Sequence, residues 1–217
     1  YLLWGVGHTD SEALQSLRQS IHEIRQLLPD VIETHGRQAI RLGSTARQHL
    51  DVEQFETARA GGDFERAAAL YRGAFLDGLS LKDGEAFEEW LRIRREFFER
   101  QALESLSALM NLADTRRDND ALDRYARRIL SIDPEREDAY RGLMLALGRK
   151  GQYNEALRVY SDCAGMLRRE FDQSPSAETM AVNERIHLAR GLPRRDLPFH
   201  AATLVGREQE LADATVL

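Results

Sequence analysis

Only one cysteine, Cys163, occurs in the 217 residues. No intramolecular disulfide and no two-cysteine metal knuckle can form, which suits a reducing compartment, so the expected location is the cytoplasm. No apolar run approaches the roughly 20 residues that a helix needs to cross a bilayer, and no partner membrane is expected. The start lacks the basic, apolar and small-residue order of a secretory leader, and it opens on Tyr1 rather than Met, as an excerpt of a longer polypeptide would. An excess of positive charge is missing too. The net charge is −6, residues 51 to 110 carry 8 basic against 13 acidic residues, and residues 111 to 190 carry 14 of each. A generic polyanion-binding tail is thereby excluded, and any nucleic-acid contact must be local. Arginine supplies 28 of the 30 basic residues, a composition that fits a high-GC bacterial source.

Catalytic signatures are absent as well. The sequence contains no GxxxxGK[ST] phosphate loop, no GxGxxG, no HExxH and no GxSxG. Paired acids such as Glu88-Glu89 fall on a helical face, where solvated surface is the simpler reading. His187 and His200 lie far from His8, His22, His35 and His49, and no HxxxH spacing occurs. The expectation is a non-enzymatic chain without cofactor or metal.

What the sequence does hold is helical periodicity. Leu14, Leu17, Ile21, Ile24 and Leu28 repeat at 3-4-3-4 spacing, which makes one apolar row. Thr9 with Glu12 reads as a capping box, so the helix starts near Asp10, and Pro29 follows its end. Its polar face carries Gln15, Arg18, Gln19, His22, Arg25 and Gln26. Val31 to Thr34 and Arg37 to Leu42 flank His35-Gly36 and predict a hairpin. Further on, Asp51 is expected to cap a helix ending at Gly61-Gly62, and Asp63 a second one through about Phe75. A long helix should run from about Gly84 to Arg116, with Phe87, Trp90 and Leu91 packing it against the first repeat.

A 34-residue self-similarity organises the middle. Leu106 pairs with Tyr140, Leu109 with Leu143, Met110 with Met144, Ala113 with Leu147, Leu122 with Ala156, Ala126 with Tyr160 and Ile129 with Cys163. That is the period of tetratricopeptide units, stacked pairs of antiparallel helices whose matched positions form the seam. Gly62, Phe64, Ala67 and Tyr71 copy the spacing of Gly151, Tyr153, Ala156 and Tyr160, and Asp133-Pro134 falls between units. A final helix is expected from Ser174-Pro175-Ser176 to Arg190, stopped by Gly191. Leu192 to Phe199 reads as a linker, and Leu204 to Leu211 resumes an ordered pattern. The fold class is therefore mainly α, a tetratricopeptide-like solenoid preceded by a helix and a hairpin.

Two surfaces are candidates for function. A helix face of arginines and amides can enter the DNA major groove, where arginine donates to guanine and glutamine reads adenine, while Arg37 and Arg41 of the hairpin touch backbone or minor groove. The solenoid offers a concave groove for a peptide or partner helix, and Arg116, Arg117, Arg124, Arg127 and Arg128 lie near one turn of it. Asp114, Asp118, Asp120 and Asp123 balance those arginines, so a solvated, paired face is the simpler account.

Several words in order resemble a known family. Ser16 to Arg25, Asp51 to Phe55, Ala67 to Leu79, Phe87 to Leu91, Arg128 to Pro134, Glu137 to Arg141 and Ser174 to Thr179 are similar to the bacterial transcriptional activator domain proteins of the Streptomyces antibiotic regulatory protein family. The resemblance spans about residues 10 to 190. It implies an OmpR-like winged helix, then a tetratricopeptide-like activator domain, and in larger members an ATPase module. Residues 10 to 28 would match the recognition helix and 31 to 42 the wing. Upstream, only Tyr1-Leu2-Leu3-Trp4 would remain of the other winged-helix elements. Leu204 to Leu211 would match the entry to the ATPase module, whose phosphate loop would lie past Leu217. The domains expected are thus 1–48, 49–191 and 192–217. Arg18, Gln19, His22 and Arg25 would face the groove, with Arg37 and Arg41 at the wing. The implied partners are promoter DNA, RNA polymerase or a downstream nucleotide-binding module, and a second copy of the chain. The competing reading is a protein-binding scaffold that regulates a signalling ATPase or cyclase without touching DNA.

Overall fold

The computed structural model of the chain describes residues 9–35, 39–81 and 84–191. The expected remnant at Tyr1 to Trp4, the linker from Leu192 and the pattern at Leu204 to Leu211 lie outside the described residues.

Helix α1 (Asp10–Leu27) begins as its sequence dictates. Thr9 is the N-cap, its hydroxyl accepts from the Glu12 amide, and Glu12 Oε2 accepts from the Thr9 N–H at 2.9 Å. The expected apolar row is present on this helix, but none of its residues is buried; Leu14 is 50% exposed and Leu28 54%. β1 (Ile32–His35) and β2 (Ala39–Leu42) follow as an antiparallel hairpin that pairs Ile32 with Leu42 and Glu33 with Arg41. A short helix not anticipated from sequence, α2 (Ser44–Gln48), then leads to α3 (Asp51–Ala60). Asp51 is the first helical residue rather than the cap, which is Leu50; its carboxylate accepts from the Val52 amide at 2.8 Å.

Asp63 caps α4 (Phe64–Leu70) as expected, accepting from the Arg66 amide at 3.1 Å, but the helix stops five residues short of Phe75. Two arginines from other helices take over its carbonyls. Arg128 donates to the Tyr71 carbonyl at 2.7 Å, and Arg95 donates to those of Phe75 at 2.9 Å and Leu76 at 2.7 Å. The freed chain swings Phe75 between Trp90 and Phe98, at ring separations of 6.0 and 5.1 Å, and carries Leu76 into the left-handed region at φ 48°. Arginine donors and an aromatic site thus outweigh the helical propensity of the segment.

The remainder is a stack of antiparallel helices: α5 (Glu85–Arg116), α6 (Asn119–Ile132), α7 (Glu137–Arg149), α8 (Tyr153–Phe171) and α9 (Ala177–Gly191). Each packs on the next, and α9 folds back on both α7 and α8. The residues matched at 34-residue spacing are the seam. Leu109, Met110, Ala113, Leu122, Ala126 and Ile129 are buried, as are Leu143, Met144, Leu147, Ala156 and Cys163, whereas Tyr140 and Tyr160 are half-buried. The turns repeat as well. Gly62, Arg117 and Gly151 have φ of 75°, 55° and 75°. After each, an amide reaches five residues back to close the helix end: Asp63 to Ala58 at 2.8 Å, Asp118 to Ala113 at 3.0 Å and Gln152 to Leu147 at 2.9 Å. A smaller aromatic core, with Phe55, Ala58, Ala67, Phe98 and Ala102 buried, joins α3 and α4 to the first half of α5. Phe87 and Leu91 are buried there too, but Trp90 is only half-buried. Arg59 ties α3 to α5 by donating to the Gln101 carbonyl, to Ser105 Oγ at 3.1 Å and to Glu104 at 3.0 Å.

Candidate nucleic-acid interface

Arg18, Gln19, His22 and Arg25 all lie on α1 and all are exposed. Arg18, His22 and Arg25 fall at i, i+4 and i+7, which makes one row of two arginines and a histidine. Gln19, Glu23 and Gln26 make a second, parallel row with the same spacing. One contact lies within a row and one joins the two. Gln19 Nε2 donates to Glu23 Oε1 at 2.7 Å, and the Gln26 amide nitrogen lies 2.9 Å from His22 Nε2. Gln26 was expected on the polar face but not among the groove-facing residues, and Glu23 was not expected there at all; the signal for them was the i+4 spacing from His22 and Gln19.

Arg41 lies in β2 opposite Glu33, and their side chains form an exposed ion pair at 3.6 Å. Arg37, expected at the tip, is outside the described residues. What fixes the hairpin to the end of α1 is Gly43, which sequence reasoning missed. Its amide donates to the Val31 carbonyl at 2.8 Å, and a Cβ there would meet the Asp30 carbonyl oxygen at 2.6 Å, closer than any side chain allows. Only glycine permits this approach of the turn after α1 to the exit of β2. The helix and hairpin therefore leave this point in a fixed order: exposed polar helix, tight turn, two-stranded ribbon.

The second candidate surface resolves into paired charge. Arg127 bridges Asp123 at 2.5 Å and Glu155 at 3.0 Å, and Lys150 bridges Asp120 and Asp123 at 2.6 and 3.2 Å. Partial burial pushes the Asp123 carboxyl up, but hydrogen bonds from Arg127 and Lys150 outweigh it and hold it below the usual carboxylate range. Arg128 is spent on the Tyr71 carbonyl, and the Arg124 guanidinium sits 5.3 Å from the centre of the Tyr125 ring. Arg116 and Arg117 are exposed. This is the balanced, solvated face that the sequence suggested. Cys163 is fully buried in the seam, and burial, with Glu137 nearby, pushes its thiol up to about 11. It packs as a small hydrophobe. Among the described residues no group of histidine, cysteine, aspartate and glutamate is placed to hold a metal, and no helix is long and apolar enough to cross a membrane.

The comparisons with known proteins agree with this architecture. Regulatory protein AfsR of Streptomyces griseus is 30% identical over 190 residues, which cover 81% of this chain and 19% of AfsR. EmbR of Mycobacterium tuberculosis, solved in complex with a low-affinity phosphopeptide, superposes with a TM-score of 0.53 at 22% identity, over 86% of this chain and 53% of that one. EmbR therefore shares the fold. The chain spans about a fifth of AfsR and about half of the EmbR chain. Residues 36–187, from the hairpin tip to the middle of α9, match the family described as the Bacterial transcriptional activator domain. By that match the chain belongs to the bacterial transcriptional activator domain family.

Proposed function

We propose that the chain is the central part of a cytoplasmic, non-enzymatic bacterial transcription regulator. In this reading residues 1–48 are the end of a winged-helix DNA-binding domain, 49–191 the activator domain, and 192–217 a linker into a following module. Promoter DNA meets α1 through Arg18, Gln19, His22 and Arg25 and meets the hairpin through Arg37 and Arg41. The solenoid contacts RNA polymerase, the following module or a second copy. The observation that carries the reading is the run from α1 to the hairpin. A helix with two bonded polar rows and no buried side chain is followed, through a turn only Gly43 allows, by a two-stranded ribbon. That order suits a recognition helix and wing. The relatives are regulators by name, which favours this reading over the scaffold that never touches DNA.

The test is DNA binding by the full-length polypeptide, on the DNA upstream of its own operon and on random duplex, over a salt series. Arg18→Ala and Arg25→Ala should each weaken binding to the specific site by about 5- to 100-fold and reduce the slope of log affinity against log salt by about one. Equal affinity for both duplexes, unchanged by the two substitutions, would refute it.

A further inference from the structure

The two polar rows of α1 are not equivalent. At about 100° per residue, Gln19, Glu23 and Gln26 lie within about 40° of the direction opposite the apolar row of Leu14, Leu17, Ile21, Ile24 and Leu28. Gln15 shares that direction. Arg18, His22 and Arg25 lie about 60° to 120° away from it, round the flank. When the apolar row faces inward, the glutamine row is what points straight into a groove, and the arginines stand beside it, at the height of a phosphate backbone. That direction also holds Glu12, which is engaged in the capping box at the helix start; within the bonded row itself the negative charge is that of Glu23.

A carboxylate at that position is repelled by phosphates on every DNA sequence. The cost is recovered only where a base edge offers a donor, and glutamate accepts from the exocyclic amine of cytosine. Glu23 also holds its neighbour. Its Oε1 takes one amide hydrogen of Gln19 at 2.7 Å, which leaves the other hydrogen and the carbonyl oxygen of Gln19 for the paired donor and acceptor of an adenine edge. The second lock, between Gln26 and His22 at 2.9 Å, ties the end of the row to the flanking row.

Resting on the DNA-binding reading above, we propose that Glu23 is a specificity-determining residue: it accepts from a cytosine amine, positions the Gln19 amide for an adjacent adenine, and disfavours all other sequences by charge. The arginines and His22 then supply affinity, and the Gln19–Glu23 pair supplies discrimination. Removing the negative charge should therefore make the protein bind DNA more tightly and less selectively, the reverse of what a lost contact or a damaged helix would do.

The experiment uses the full-length polypeptide and selection from a randomised duplex pool, for wild type, Glu23→Gln, Glu23→Asp and Gln19→Ala, with Arg18→Ala as reference. Wild type should select sites with one invariant cytosine. Glu23→Gln should lose that cytosine, bind random duplex about 3- to 10-fold more tightly, and cut the ratio of specific to random affinity by about 5- to 100-fold, the range that one base contact carries. Glu23→Asp keeps the charge but is one methylene too short to hold Gln19, so it should keep the weak random binding while losing the adenine preference, as Gln19→Ala does. The proposal is overturned if Glu23→Gln keeps the wild-type base preferences and random affinity while Arg18→Ala weakens binding. If Arg18→Ala also binds as wild type, the DNA-binding reading itself falls and this proposal with it.

Discussion

Gly62, Arg117 and Gly151 occupy the same left-handed position in the turns inside three successive helix pairs, α3–α4, α5–α6 and α7–α8, and two of them are glycine. That natural comparison sets a magnitude. An L-residue held in the left-handed conformation costs roughly 1–2 kcal/mol, of which glycine, through its greater freedom in the unfolded chain, gives back about 0.5–1. Arg117→Gly should therefore raise stability by about 0.5–1 kcal/mol, since Arg117 is exposed and its residue type is not required by the amide of Asp118 that closes the turn. The reciprocal substitutions are unusually clean. A Cβ at Gly62 or Gly151 would meet no atom within 4 Å, so Gly62→Ala and Gly151→Ala test backbone conformation without steric clash and should each cost about 1 kcal/mol. Urea titration followed by far-ultraviolet circular dichroism gives the free energies, and melting should shift by about 2–4 °C per kcal/mol for a chain of this size. A lower urea midpoint for Arg117→Gly, or glycine-to-alanine costs below about 0.3 kcal/mol at both reciprocal sites, would refute the argument that these turns are limited by φ.

Two further substitutions test the packing. Trp90, expected in the core from its spacing, is half-buried against Phe75 and Phe87, so Trp90→Ala should cost about 2 kcal/mol, whereas Leu91→Ala, at a fully buried position, should cost about 3–4. The reverse order in chemical denaturation would put Trp90 back in the core. Glu137 holds α9 in place by accepting from both the amide and the hydroxyl of Ser176, each at 2.7 Å, and Glu137→Ala should cost about 1.5–2 kcal/mol and speed amide exchange in α9 before that in α6. Partial burial pushes the Glu137 carboxyl up, but the hydrogen bonds from Ser176 and Thr179 outweigh it and leave it below the ordinary glutamate value. The folded state thus favours the charged form. Its contribution is present at neutral pH, is lost as the pH falls below about 4.5 and through the lowered value, and should vanish from the acid limb in Glu137→Gln.

The solenoid was legible because its signal is redundant. Seven residue pairs at one spacing each reported the same seam, and Asp133-Pro134 marked where one unit ends and the next begins, so an error at any one position left the reading intact. The misreadings arose where a single local cue met a distant partner. Asp63 and the apolar run to Phe75 promised a longer α4, and nothing in that segment announced that Arg95 and Arg128, from α5 and α6, would take its carbonyls. Trp90 has the spacing of a core residue, but periodicity gives a direction and not a depth. At the candidate interface the helix and hairpin were readable from their pattern, whereas Gly43 was not, because its necessity comes from a carbonyl thirteen residues earlier in sequence. The bonding of Gln19 to Glu23 and of His22 to Gln26 followed the i+4 rule, yet that rule matches many pairs on any helix and selects none of them without coordinates.

The same spacing explains how α1 is held together and why its chemistry is coupled to its fold. No side chain of this helix is buried, so packing against the described residues contributes little to it, and an 18-residue helix in water is only marginally stable by propensity. Among the described residues what supports it is local: the Thr9–Glu12 capping box, the Gln19–Glu23 bond and the His22–Gln26 contact. A cap contributes about 1 kcal/mol and each i+4 pair about 0.2–0.5. In the proposed DNA-binding reading those pairs are also the groups that face a groove. Any ligand that competes for the Gln19 amide therefore removes a bond that keeps the helix wound, unless it replaces the bond in kind, as a base edge with matched donor and acceptor does. Discrimination and helix formation then draw on the same hydrogen bonds: a matched edge leaves α1 as stable as before, and a mismatched one must unwind what it displaces.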